Sequence, residues 1–331
     1  MQQQALRIRG RGMTKIPLGS RTSSAYHEAL PRPCPSWEPS VLKAAPFHFH
    51  QPTTLTELAG LLATLANAKI LAGGQSLMAM LNLRLFNPDH LIDINAIADL
   101  ATLRHAAGKI EIGAMVRQHV LLQAPLIAQH LPILSQALGH VGHLQTRSRG
   151  TIGGSCCHLD PSAELPAMCA LLDADFTVNG ARGRRIVPAR HWFEAPMQAA
   201  LAEDEFLESI SIAPWSSTHG HGFAEYARRH GDYAIVGAGA LLEADVDGKI
   251  GRAALVLFGC DTAPQRLPQA EAALIGTKVT ELDVAMLAAE ARAQTMMTDA
   301  QVTSAYRARL AGIMIQRAVK QAQGRINKER A

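Results

Sequence analysis

The stretch Lys69–Leu85, KILAGGQSLMAMLNLRL, constrains this chain more than any other. It begins as a short strand, Lys69–Ala72, breaks at Gly73-Gly74, and continues as a run of helix formers. Paired glycines permit a tight turn whose backbone N–H groups stay uncovered, and Ser76 can hydrogen-bond into the same turn. Free amides that converge at a strand-to-helix turn suit a phosphate, because donors and dipole both favour negative charge. Lys69 adds a mobile cation at the entrance. Alone, however, a Gly-Gly connection is more often just a turn.

A second glycine turn changes that balance. Arg149-Gly150-Thr151-Ile152-Gly153-Gly154-Ser155 lies about eighty residues on, followed by HLDPSAEL from His158 to Leu165. Two such turns, each flanked by hydroxyl side chains, can grip the two ends of one long anionic ligand, for which a pyrophosphate-bearing dinucleotide is the obvious candidate. Neither turn reads G-x-G-x-x-G, and no G-x-x-x-x-G-K-[ST] occurs in the chain, so the two commonest nucleotide fingerprints are excluded.

Four motifs then stand in order: AGGQSL (Ala72–Leu77), IGAM (Ile112–Met115), RGTIGGS with its trailing HLDPSAELPA, and RRHGDYA (Arg228–Ala234). Together they resemble the FAD-binding medium subunit of molybdenum-containing hydroxylases, the xanthine dehydrogenase family. The style is that of aerobic carbon monoxide dehydrogenase and of bacterial nicotine or caffeine dehydrogenases. The likeness runs from about Val41 to the end. It implies an α+β chain: a PCMH-type FAD-binding fold of two α/β subdomains, at 41–97 and 98–215, followed by a small α+β C-terminal domain at 216–331.

The resemblance also implies roles. Ala72, Gly73, Gly74, Gln75, Ser76 and Leu77 would wrap the FAD diphosphate, with Lys69 at its edge. Thr151, Ile152, Gly153, Gly154 and Ser155 would form the second loop. Glu164 would meet ribityl hydroxyls, and Asp160 would brace the loop with His158 beside it as a structural histidine. Tyr233 matches an aromatic position against the isoalloxazine ring, where an ordinary core tyrosine is the competing reading. Val141-Gly142 would pass near the same ring. Many relatives carry histidine at the place of Gln75, and glutamine cannot form a histidyl–flavin link, so the expected FAD is non-covalent.

Composition bounds the rest. The 331 residues suggest two or three domains, and 48% hydrophobic content suffices for packed cores. No apolar stretch reaches the length of a membrane span, and the polar, basic start lacks a signal-peptide core, so a cytoplasmic protein is expected. The net charge of +4 does not mark a nucleic-acid binder. Residues 1–40 hold six Lys and Arg against two Glu, which accounts for all of it and leaves the remainder at 26 against 26. That segment reads as a disordered basic extension. Relatives usually begin just before the equivalent of Pro46-Phe47, which makes Val41 an alternative start.

The five cysteines offer no CxxC and no ligand set for zinc or iron–sulfur, so no metal site is expected. Adjacent Cys156-Cys157 read as small buried hydrophobes, against a redox role beside a flavin. No catalytic acid–base set stands out, which fits an electron relay. By resemblance, molybdopterin sits on a large subunit and two [2Fe-2S] clusters on a small one, in a dimer of heterotrimers, and FAD passes their electrons to an external acceptor. The rival readings are a self-sufficient PCMH-type flavin oxidase or reductase, which needs a base near the ring, and a flavin-free scaffold.

Overall fold

The computed structural model describes residues 43–330. The basic segment 1–40, Cys34 and the alternative start at Val41 lie outside the described residues.

Three sheets follow one another along the chain. The first is parallel, in the order β1-β3-β2, from β1 (His48–His50), β2 (Ala68–Leu71) and β3 (His90–Asp93). Helix α1 (Leu55–Thr64) joins β1 to β2, and short α2 (Leu77–Asn82) follows the first glycine turn. Thr54 caps α1 by accepting from the Glu57 amide at 3.1 Å, and the Glu57 carboxylate accepts from the Thr53 amide at 2.8 Å. This is the start that Thr54 and Glu57 predict, with the return bond one residue earlier than the usual capping box. Leu58, Leu62, Ile92 and Ile94 bury the apolar side of this layer.

The second sheet is antiparallel. It is built from β4 (Leu103–Ala106), β5 (Lys109–Gly113), β6 (Asp175–Gly180), β7 (Arg185–Pro188) and a late strand, in the order β4-β5-late strand-β6-β7. Between β5 and β6 run six helices: α3 (Gln118–Gln123), α4 (Pro125–His130), α5 (Pro132–Leu138), α6 (Leu144–Arg149), α7 (Ile152–His158) and α8 (Glu164–Leu171). A small ribbon, β8 (Phe193–Ala195) with β9 (Gln198–Ala199), precedes the late strand β10 (Glu205–Ile212), which pairs with β5 on one side and β6 on the other.

The third sheet is also antiparallel, in the order β11-β12-β13-β14, from β11 (Gly220–Tyr226), β12 (Val236–Ala244), β13 (Ile250–Phe258) and β14 (Gln265–Arg266). Asp247-Gly248 makes the β12–β13 hairpin as its sequence predicts, with Gly248 at φ +80°. Helices α9 (Pro268–Leu274), α10 (Val284–Ala293) and α11 (Ser304–Arg330) complete the chain. No helix among the described residues is long and apolar enough to cross a membrane.

The third sheet is covered on both faces. Phe223, Leu241, Val256 and Phe258 join one large core with Leu165, Met168 and Leu171 of α8. Val236, Ala238, Leu255 and Leu257 pack on the other side with Met314, Ile315 and Val319 of α11. All eight residues of α8 are accordingly buried, a helix apolar all round because it is covered on every side.

Two sequence expectations need correction here. Pro214–Gly222, PWSSTHGHG, has the Pro, Ser, Thr and Gly content of a linker, yet Gly220 already begins β11. The glycines there are not loop residues: a Cβ on Gly222 would lie 1.9 Å from the Ala318 carbonyl oxygen of α11, and one on Gly220 2.0 Å from that of Ala322. They let helix and strand backbones approach, a use of strand glycine that local sequence cannot distinguish from a turn. The second correction concerns Thr151–Ser155, which reads as a loop and is the cap and first turn of α7.

The close approach makes a testable statement. Gly222→Val is expected to lower stability by about 1–3 kcal/mol through overpacking. Urea unfolding of the variant checks it, and an unchanged midpoint would mean that α11 does not rest on β11.

Candidate functional site

The first glycine turn sits where β2 ends. Asn95 Nδ2 donates to the Ala72 carbonyl at 3.0 Å and holds the strand end in place. Gly74 adopts φ +71°, the left-handed region that favours glycine, and its carbonyl accepts from the Met78 amide as α2 begins. The amides of Gly73, Gly74, Gln75 and Ser76 donate to no group among the described residues. Four adjacent uncommitted donors are what the sequence predicts of this turn.

The second turn is built differently. Thr151 caps α7 by accepting from the Gly154 amide at 3.0 Å. The Ile152 amide donates to the Val116 carbonyl and the Gly153 amide to that of Ala114. These N–H groups are therefore committed to the protein, contrary to the expectation of a second open loop. Its glycines serve packing: a Cβ on Gly153 would lie 2.6 Å from both the Cβ and the carbonyl oxygen of Ala114. Ile152 is fully buried in the main core, so its side chain does not belong to the site.

The two turns touch. A Cβ on Gly73 would stand 2.3 Å from the Arg149 carbonyl oxygen, so only glycine allows this approach. Arg117 fastens the pair, donating through one guanidinium nitrogen to the Arg149 carbonyl and through another to Asn95 Oδ1. Asn95 in turn holds Ala72. Burial and the nearby Arg149 charge lower the Arg117 pKa. Nothing in the local sequence around Arg117 announces this role, because its two partners are far away along the chain.

Between and below the turns lies a cleft of about 640 Å³. Lys69, Ala72 to Leu77, Thr151, Gly153 to Ser155, Asp160, Glu164 and Tyr233 all line it, so every predicted site residue except Ile152 comes together. Val141, Gly142 and His158 line it as well. Lys69 Nζ lies 5.3 Å from the centre of the Phe86 ring. Asp160 Oδ1 accepts from the Ser162 amide at 2.8 Å, a bond within its own turn and not to the Thr151–Ser155 segment it is expected to brace. Tyr233 is no core tyrosine: it is 63% exposed and, from the β11–β12 connection, lines the cleft together with Ser76 of the first turn. Partial burial, Asp160 and Glu164 raise its phenol pKa.

Two buried polar groups stand in the wall. Gln118 is 6% exposed, and its Oε1 is buried with no hydrogen bond. Glu164, at the first turn of α8, is equally buried, and desolvation pushes its carboxyl up to about 7, with Asp160 adding to the shift and its own amide opposing it. An unsatisfied acceptor and a reluctant carboxylate in a concave wall call for a ligand rich in N–H and O–H groups. Four free amides next to them call for an anion. A flavin dinucleotide carries both kinds of group, and the residues present fit it.

The cysteines resolve toward the bland reading. Cys156 and Cys169 are free, buried thiols with sulfurs 3.8 Å apart. Cys157 lines the cleft, but burial pushes its thiol up to about 12, so the reactive thiolate is suppressed.

Comparison with known proteins defines the class. Residues 45–215 match the model of the FAD binding domain in molybdopterin dehydrogenase, and residues 221–322 match the CO dehydrogenase flavoprotein C-terminal domain. The chain belongs to this family, the FAD-binding medium subunits of molybdenum-containing dehydrogenases. It is 36% identical to caffeine dehydrogenase subunit beta of Pseudomonas sp. strain CBB1, over 86% of this chain and 97% of that one. With the 6-hydroxypseudooxynicotine dehydrogenase complex subunit alpha of Paenarthrobacter nicotinovorans it shares 36% identity over 77% of this chain and 87% of that one. The carbon monoxide dehydrogenase structure from Hydrogenophaga pseudoflava superposes with a TM-score of 0.82 at 33% identity, covering 85% of this chain and 99% of that one.

Gly73→Val should force the two turns apart. We expect FAD affinity to fall about 10- to 100-fold, the equivalent of about 1–3 kcal/mol of overpacking, while circular dichroism is unchanged. Flavin absorbance of the purified variant checks this, and full retention would refute the two-turn site.

Proposed function

We propose that the chain is the electron-transfer subunit of a molybdenum hydroxylase, holding one non-covalent FAD in the cleft between the two glycine turns. The observation that carries this reading is the set of four uncommitted amides at Gly73–Ser76, pinned by Arg117 against the second turn, in a chain of this family. The amides would hold the diphosphate, with Lys69 at its edge. Thr151, Gly153, Gly154 and Ser155 would shape the opposite wall. Glu164 would bond ribityl hydroxyls, and Tyr233 would lie against the ring. FAD, when bound, accepts and passes on electrons, while the protein supplies grip and electrostatics.

In this reading residues 41–215 are the flavin-binding part and 216–331 the C-terminal part, meeting in a shared core. The partners are a large molybdopterin subunit and a small [2Fe-2S] subunit, as a dimer of heterotrimers in the cytoplasm. Relatives named as medium chains or subunits of dehydrogenase complexes, matched over nearly their whole length, support a subunit rather than a self-sufficient oxidase. Outside residues 1–40 the 26 Lys and Arg equal the 26 Asp and Glu, so net charge does not favour a nucleic-acid partner.

The test is to purify the tagged chain from its native host and analyse what elutes. Two further subunits, FAD, molybdenum and iron are expected together, and acid precipitation should release all the flavin into the supernatant. A lone flavoprotein that turns over a substrate unaided would overturn the relay, and flavin in the precipitate would overturn the non-covalent site.

A further inference from the structure

Behind the cleft, where the third sheet packs on the helices of the second layer, the structure buries a second carboxyl group. Strand β11 alternates sharply. Gly220, Gly222 and Ala224 face α11, whereas Phe223 joins the core shared with α8. Glu225 follows Phe223 by two residues and so points to the same side. Its side chain is 4% exposed, and its Oε2 is buried with no hydrogen-bond partner.

The groups around Glu225 are few. His140, just after α5, places Nδ1 3.9 Å from Glu225 Oε1, and its ring lies 5.0 Å from that of Phe223. The His230 ring is 6.0 Å from that of His140, in the same connection that brings Gly231, Asp232 and Tyr233 into the cleft. Asp232 accepts from Arg229 at 3.1 Å. Glu164 at the start of α8 acts on Glu225 as a like charge, and Asp160 acts on Glu164 in the same way. His221 lies on the same face of β11, and Arg325 of α11 donates to its carbonyl. Among the described residues neither Glu164 nor Glu225 has a lysine or arginine in ion-pair contact.

Two buried carboxyls without a cation cannot both remain ionised, since desolvation and mutual repulsion act together. Burial, and then Glu164, push Glu225 up to about 8, while Glu164 stands at about 7. Burial and the neighbouring His230 lower the His140 pKa, which favours the neutral imidazole, a ring able to accept a proton on one nitrogen and release one from the other. The His140 side chain is 37% exposed, which puts it in touch with solvent.

We propose that Glu164 and Glu225 form a proton-holding pair behind the flavin cleft, connected to solvent through His140, that gains a proton when electrons arrive in the cleft and returns it when they leave. The inference rests on the FAD reading above. Electrons come from the reduced clusters of the partner subunit and depart to the external acceptor. The proton comes from water and forms one O–H bond on a carboxyl oxygen of the pair. That bond breaks again on reoxidation, so no further reactant is needed. The pair thereby offsets negative charge added beside Glu164.

Redox-difference infrared spectroscopy of the purified full-length protein with its partners, near pH 7 to 8, tests this. Reduction of the wild type is expected to raise a protonated-carboxyl band that is lost in both Glu164→Gln and Glu225→Gln. Proton uptake, followed with an indicator dye, should fall by up to about one proton per FAD in each variant. His140→Phe keeps both carboxyls and should slow the uptake without changing its amount. Identical bands and identical uptake in wild type and variants would overturn the proposal. Should the protein retain no flavin, the functional reading fails separately. An infrared pH titration of the flavin-free protein then decides whether the pair holds a proton at all, and ionisation of both carboxyls well below pH 7 would overturn it.

Discussion

The contact between the Gly73 turn and the Arg149 carbonyl is the constraint on which the site depends. It joins the parallel first layer to the antiparallel second one at backbone distance, which no side chain larger than hydrogen allows. Arg117 completes it by bonding both sides at once. Because the amides of Ile152 and Gly153 are committed to residues 114–116, the second turn is a rigid wall. The first turn alone retains free donors. The division of labour is physical: one turn supplies hydrogen bonds to an anion, and the other fixes where those hydrogen bonds point.

A second dependence runs through α8. That helix is buried on all sides because it packs between the second layer and the third sheet, and its first residue, Glu164, stands in the cleft wall. The same packing that stabilises the C-terminal sheet therefore sets the environment of a titratable group in the site. The core around Phe223, Val256 and Phe258 draws residues from both sides of position 215, so the two parts share one apolar interior. A domain boundary drawn from sequence at that point divides the chain but not its packing.

Much of this is legible in the sequence. The Thr54 cap, the Asp247-Gly248 hairpin and the free amides of the first turn follow from local rules about hydroxyl caps and glycine dihedrals. Four motifs in order were enough for the family, and nearly all the residues they nominated line one cleft. The failures share one cause. Gly220 and Gly222 read as linker, and Thr151–Ser155 as an open loop, because glycine has the same local signature whether it makes a turn or admits a distant backbone. Arg117 and Gln118 carried no signal, since their partners or orphaned atoms exist only after folding. Tyr233 reads equally as core or cleft in the sequence, and its exposure in the cleft lining decides for the cleft.

The sequence by itself determined where the chain must turn, which segments are apolar enough to be buried, and which family of flavin-binding chains it belongs to. Those properties reside in consecutive residues, where dihedral preference and hydrophobicity act over a few positions. Tertiary structure alone decided which amides remain free, which glycines are close contacts, and how far a carboxyl departs from its ordinary acidity. Each of these depends on atoms brought near from distant positions, as when Glu225 meets His140 and lies within the field of Glu164. Burial and proximity are properties of the packed molecule, and they are what turn a motif into a site.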